Sequence, residues 1–236
     1  MKIKELFEHT AHRPWNLPKK KWKYYQEWNR VIFLHWRVEL EDIRPLVPAE
    51  LDIDSIHGTY WVSIVVFSVE NTQTRILPPF KLLSNYQQVN IRTYVKHKNR
   101  PGVFFLNVEA SKWWSCLIAK SLSGIQYRPA EMDRTDERFD SFSKDKCDNV
   151  NFDYELHYRV SQKNELDYYL TERYALFTKN RGKINEYNIH HLQWPLRKIE
   201  LRVLFVKYPQ FPFLMQLGPA KTHYSEGVQV LIWGKT

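Results

Sequence analysis

Glycine and cysteine are scarce in this chain, with seven and two among 236 residues. No glycine belongs to a GxGxxG or GxxxxGK[ST] pattern, so a loop that cradles nucleotide phosphates is not expected. Cys116 and Cys147 cannot make a disulfide framework, and with no CxxC pair there is no cysteine cradle for zinc or an iron cluster. Long apolar runs are missing too. WVSIVVFSV and VIFLHW fall far short of a membrane span, and MKIKELFEHTAHRPW has no stretch of signal-peptide length. The expectation is a cytoplasmic protein with no membrane association. The absence of a GxSxG elbow argues against a serine hydrolase site.

What is present is a chain that is 43% hydrophobic and 15% aromatic, long enough to bury a sizeable core. It has no internal repeat, low-complexity tract or linker, so one domain over residues 1–236 is expected. The formal charge of +9 invites a polyanion partner. Its densest basic run is PKKKWKY, and elsewhere bases alternate with acids, as in EMDRTDERFD and LRKIELR. That pattern fits a solvated basic surface, and a nucleic-acid partner is not expected. HRPWNLPKKKWKYYQEW interleaves aromatic and basic residues. It suits an arm laid across the fold with its tryptophans covered and its lysines in water. A polyanion-binding surface, or an interaction module with a filled interior, is the alternative reading.

Alternating segments outnumber helical ones, which predicts an α+β chain that is mostly β. NVNFDYELHYRV places Val150, Phe152, Tyr154, Leu156, Tyr158 and Val160 on one face, a half-buried antiparallel strand. TYWVSIVVFSVE, VNIRTYV, GVFFLNVEA, ERYALFT and VQVLIW read as further strands. A short helix is predicted from Glu39 to Val47, shortened by Pro45 and stopped by Pro48. SKWWSCLIAKSL has helical spacing behind Ser111, Asn164 can cap NELDYYL, and Arg134–Asn149 reads as loop. Many strands joined by short turns predict a closed or strongly curved sheet.

HRPW, the His35-Trp36 pair, LVPAELDID, G-x-x-WV ending at Val62, NIRTYV, PGVFF, LTERY and H-x-x-WPL occur in that order. In order and spacing they resemble the YqjF-like family of uncharacterised bacterial proteins, over nearly the whole chain. That family is related to acetoacetate decarboxylase. The resemblance implies a curved antiparallel sheet or β-barrel enclosing a cavity, with a few short helices outside. It also implies positions for the relative's machinery. An arginine before the VP-x-x-L motif maps to Arg37, and a catalytic glutamate maps to Gln88, which is not ionisable. The reactive-lysine stretch maps to SGIQYRPAEM, which offers Tyr127 and Arg128 but no lysine, Lys120 lying outside the motif. Schiff-base decarboxylation needs a neutral amine, and a guanidinium cannot replace it. Acetoacetate decarboxylation by that route is therefore excluded.

The residues themselves point to a ligand site. On a strand, Gln88, Asn90, Arg92 and Tyr94 share one face. A guanidinium there offers paired donors to a carboxylate, and a phenol can orient beside it. The alternative is an arginine bridging to Glu109 or Glu172. Tyr127 and Arg128 are loop candidates for the same cavity. His35 and His191 are candidates for proton exchange or ligand contact, against packing on Trp36 and Trp194. Adjacent His190 and His191 point oppositely if extended, so no metal site is expected. No cofactor is expected. The expected partner is a small anionic molecule, with self-association left open. If the protein is an enzyme, a lysine-independent lyase or hydrolase step would have Arg92 hold the anion and Tyr127 or His35 move a proton.

Overall fold

The computed structural model describes residues 3–75, 84–112 and 127–235. In chain order its strands are β1 (Tyr24–Val38), β2 (Asp52–Ile53), β3 (Tyr60–Thr74), β4 (Tyr86–His97), β5 (Arg100–Ala110), β6 (Tyr127–Pro129) and β7 (Glu131–Arg134). They continue with β8 (Arg138–Ser143), β9 (Asp148–Arg159), β10 (Ala175–Asn180), β11 (Lys183–His190), β12 (Leu196–Lys207) and β13 (Lys221–Ile232). The short helices are α1 (Ile3–Glu8), α2 (Leu40–Ile43), α3 (Glu165–Thr171) and α4 (Phe213–Gln216).

The strands form one sheet that closes on itself. Pairing runs β1-β3-β4-β5-β10-β11-β13, and β13 pairs back onto β1. Beyond β13 the sheet continues through β12, β9, β8 and β7. The pairs are antiparallel except that β5 runs parallel to β10 and β6. The ring is curved unevenly, and register shifts show where. β1 slips against β3 at Tyr25/Glu27 and again at Asn29/Ile32, where Arg30 takes a positive φ of 50°. Such bulges bend and twist a strand enough for a sheet to close. Gly227, opposite Asn29, has φ 140°, and a Cβ there would collide with Trp28 and Asn29 backbone. Only glycine lets β13 follow the bend in β1.

Two cores result, one on each side of the ring wall. Inward-facing Val31, Phe33, Val65, Phe67 and Tyr86 belong to the interior. The alternate residues Ile32, Leu34, Ile64, Val66, Val89 and Ile91 face outward, against Phe139, Val150, Phe152 and Tyr154 of the sheet extension. VIFL and IVV are therefore continuous apolar runs because both faces of β1 and β3 are covered.

Most predicted elements stand, with instructive departures. β9 alternates as expected up to Tyr154, but Tyr158 is exposed beyond the edge of the outer core. Arg134–Asn149 is not all loop. It contains β8, whose Phe139, Ser141 and Ser143 face inward while Arg138, Asp140 and Phe142 face out. The charged residues are the outer half of a two-faced strand. In ERYALFT the strand starts only at Ala175, because Glu172 caps the end of α3. LRKIELR is the start of β12. Asn164 does cap α3, in a reciprocal capping box with Asp167. The Glu39–Val47 segment is α2 followed by a 3-10 turn at Arg44–Leu46. The SKWWSCLIAKSL helix, from Trp113 onward and including Cys116 and Lys120, lies outside the described residues. Among the described residues no helix is long and apolar enough to cross a membrane.

Candidate functional site

β-alternation on β4 determines what the ring encloses. Tyr86, Gln88, Asn90 and Arg92 point inward and line an interior cavity of about 150 Å³. Across from them β1 supplies Trp28, Val31 and Phe33, and β3 supplies Val65 and Phe67. Val103 and Phe105 of β5, Leu176 of β10 and Ile189 of β11 complete the wall, with His191 and Trp194 beyond them. Tyr24, Gln26 and Thr72 stand towards the end of the cavity where Tyr86 lies, and Tyr127 joins beside Val108, the partner of Asn90.

Register pairs Ser63 with Arg92 and Val65 with Asn90, so Arg92 is the deepest of the three polar side chains of β4. It lies well inside the ring yet is only partly covered, so its accessible surface is cavity surface. Arg92 Nη2 donates to the Leu170 carbonyl at 3.2 Å, and its guanidinium lies 5.5 Å from the Phe33 ring centre. Its Nε is buried without a hydrogen-bond partner, and no carboxylate pairs with it among the described residues. Burial lowers the guanidinium below its ordinary value. Glu109 and Glu172 do not bridge to it. Glu172 is held by Lys163, the Tyr174 hydroxyl and the Trp194 amide. Glu109 faces the outer core, where it takes hydrogen bonds from Asn107, Ser141 and Tyr208. Burial pushes the Glu109 carboxyl up to about 7.

Arg173 is the second cation on the lining. Its Nη1 pairs with Asp54 at 2.9 Å and its Nε donates to the Tyr169 carbonyl, while its Nη2 is buried without a partner. Asp54 also binds Lys96 at 2.7 Å. The remaining lining is apolar or neutral, and among the described residues no lysine belongs to it.

Beneath Phe33 runs a hydrogen-bonded chain of buried groups. The Asp167 carboxylate lies 2.8 Å from His223 Nε2, so that nitrogen donates and Nδ1 accepts. His223 Nδ1 is 3.2 Å from His35 Nε2, which must then carry the hydrogen, leaving His35 Nδ1 to accept from Ser63 Oγ at 2.6 Å. The Tyr94 hydroxyl lies 2.7 Å from Ser63 Oγ and 2.9 Å from the Leu170 carbonyl, and its one hydrogen serves one of these two acceptors at a time. Arg92 and the chain thus meet at the same carbonyl. Burial first, then neighbouring positive charge including Arg92, holds His35 well below its ordinary value. Burial lowers His223 as well. Burial alone would raise Asp167, but hydrogen bonds from His223, Lys221 and the Asn164 backbone outweigh it and hold the acid below the usual carboxylate range.

The residues singled out from sequence therefore separate. Gln88, Asn90, Arg92, Tyr127 and His191 meet around one cavity. Tyr94 and His35 lie under its floor, with their polar atoms committed to the chain. Arg37 shares the face of Phe33 and His35 but stands at the end of β1, past the cavity, where it is exposed beside Trp61. Arg128 is placed 4.0 Å from Asp148 by the strand pairing that sends Tyr127 inward. His190 points away from the cavity to the Leu6 carbonyl and Arg13, opposite to His191. Among the described residues no cluster of three potential metal ligands occurs. The aromatic string escaped the sequence reading. HRPW is an arm on the outside of β11, with Arg13 bonded to the Ile189 carbonyl and Trp15 to Asn188.

Comparison with known proteins fits this geometry. The sequence profile of the DUF2071 family, described as an uncharacterized conserved protein, matches residues 25–229. The uncharacterized protein YqjF of Bacillus subtilis (strain 168) is 32% identical over 227 residues, covering 92% of this chain and 93% of that one. An acetoacetate decarboxylase-like enzyme from Sphingomonas wittichii RW1 superposes with a TM-score of 0.62 at 13% identity, covering 92% and 93%. The enduracididine biosynthesis enzyme MppR, complexed with pyruvate, superposes with a TM-score of 0.57 at 10% identity, covering 93% and 91%. The fold is acetoacetate decarboxylase-like.

Proposed function

The chain belongs to the DUF2071 family of uncharacterized conserved proteins, and from that premise we propose that its ring cavity binds a small organic anion, a carboxylate held by Arg92. One observation carries this reading. Arg92 is a cation at the deep end of a mainly apolar cavity, with no carboxylate partner among the described residues. An uncompensated charge in such a place is costly, and an anionic ligand removes the cost. Arg173 adds positive potential nearby, since it shares its Asp54 partner with Lys96. A protein of similar fold is complexed with pyruvate, itself a small carboxylate.

Chemistry in this cavity would proceed without a lysine amine from the described lining. For a lyase or hydrolase step on a carboxylate fixed by Arg92, the lining offers the Tyr127 phenol as the proton carrier. His35 is shut off beneath Phe33 with both ring nitrogens engaged, so it acts on the floor and not on the ligand. A thermal-shift screen of carboxylic and oxo acids tests the binding reading, since a ligand that binds only the folded chain raises its melting temperature. Stabilisation of wild type that disappears in Arg92→Ala supports it. A screen without a stabilising acid, or an Arg92→Ala variant that responds like wild type, refutes it.

A further inference from the structure

The cavity holds more information than the charge of its ligand. Starting at Arg92, aromatic rings follow one another outward in an unbroken string. The Arg92 guanidinium is 5.5 Å from the Phe33 ring, Phe33 meets Trp194 edge-on at 5.3 Å, Trp194 stacks with Trp28 at 6.4 Å, and Trp28 tilts on Phe67 at 5.3 Å. Trp28 is only partly buried although it belongs to this interior string, so part of its ring surface faces the cavity. A two- to four-carbon acid bound at Arg92 carries no ring to stack against that string. The open space, about 150 Å³, is large enough to admit an aromatic ring.

We infer that the ligand is an arylalkanoic monoanion, its carboxylate on Arg92 and its ring among Phe33, Trp194, Trp28 and Phe67. This rests on the anion reading above and adds the body of the molecule to it. Ring quadrupoles favour the edge-to-face and offset contacts that this string presents, so a flat aromatic body fits better than a polar chain. The charge count also limits the ligand. Only one lining cation lacks a carboxylate partner among the described residues, which matches one negative charge and disfavours phosphates and dicarboxylates. The neutral amides Gln88 and Asn90 lie on the wall beside the path of the ring and can meet a hydroxyl or oxo substituent without adding charge.

The test is a calorimetric titration of the full chain with 3-phenylpropionate, acetoacetate, inorganic phosphate and the neutral 3-phenylpropionamide, with tryptophan fluorescence followed in parallel. The expected result is that 3-phenylpropionate binds at least tenfold more tightly than acetoacetate and changes the emission of Trp28 and Trp194. Phosphate and the amide should bind at least tenfold more weakly, and Trp28→Leu should erase most of the preference for the aryl acid. If acetoacetate binds as tightly as the aryl acid and the amide does not, the aromatic body is wrong while the anion reading stands. Should the amide bind as well as the acid, the site does not read charge and both fail. Tight phosphate binding would overturn the monoanion assignment. Because the amide tests the Arg92 contact from the ligand side, the result does not depend on any Arg92 variant folding.

Discussion

Val89 and Ile91 on one face of β4, and Gln88, Asn90 and Arg92 on the other, are all deep in the molecule, yet they are buried in opposite ways. The outward pair meets Phe139, Phe152 and the other apolar residues of the sheet extension, a layer filled by side chains. The inward set meets open space and keeps unsatisfied atoms, among them Arg92 Nε and Asn90 Oδ1. A strand whose alternation buries both faces can devote one to packing and the other to chemistry. The outer layer is where stability should reside. The inner face is where local rules are broken, as expected of a functional surface.

Substitutions should separate the two faces. Phe152→Ala removes a fully buried ring from the outer layer and should cost about 4 kcal/mol in urea unfolding, leaving the cavity's ligand response intact. A loss below about 1 kcal/mol would mean that the outer layer is loosely packed. Asp167→Asn strikes the floor of the ring, where one carboxylate caps α3 and anchors His223 and Lys221. It should cost about 3 kcal/mol at neutral pH.

The two regions should also respond to pH with opposite sign. His35 and His223 have lowered values in the folded state, so acidification protonates the unfolded chain first. The stability they contribute is complete above about pH 6.5 and falls below it, by up to about 1.4 kcal/mol per pH unit for each histidine. Glu109, in the outer layer, is raised to about 7. Its contribution is present below about pH 4.5 and is lost as pH rises towards 7. Glu109→Gln should therefore stabilise the chain by about 2 kcal/mol at pH 8, an advantage that fades towards pH 5. Equal gains at both pH values would show that the carboxyl is not being held protonated.

The sequence made the fold legible wherever one side of a strand was polar. β4, β5, β9 and the capped α3 follow directly from alternation and from Asn164. β8 was hidden because its outward half is Arg138 and Asp140, which read as loop. The ring closure of β1 on β13 leaves only the permissive Gly227 as a local trace. At the site, period-two spacing brought Gln88, Asn90 and Arg92 together, and the same spacing placed Tyr94 with them. It could not show that Phe33 stacks on His35 or that the Tyr94 hydroxyl turns to Ser63 and Leu170. His223 and Asp167 join His35 from distant segments, with no shared motif to mark them. Arg37 shows the limit of carrying a position across a family, because it has the inward phase of Phe33 and His35 yet lies past the cavity at the exposed end of β1.

The sharpest distinction between the two faces is the ligand-free stability of Arg92→Met, measured by urea unfolding at pH 7.5. If Arg92 is a cation held ready for a ligand, replacing it with an apolar side chain of similar length leaves the protein within about 1 kcal/mol of wild type, or more stable. A loss of about 3–5 kcal/mol, the usual cost of breaking a buried ion pair, would show that Arg92 is a structural residue with a protein partner, and the ligand reading of the cavity would fall.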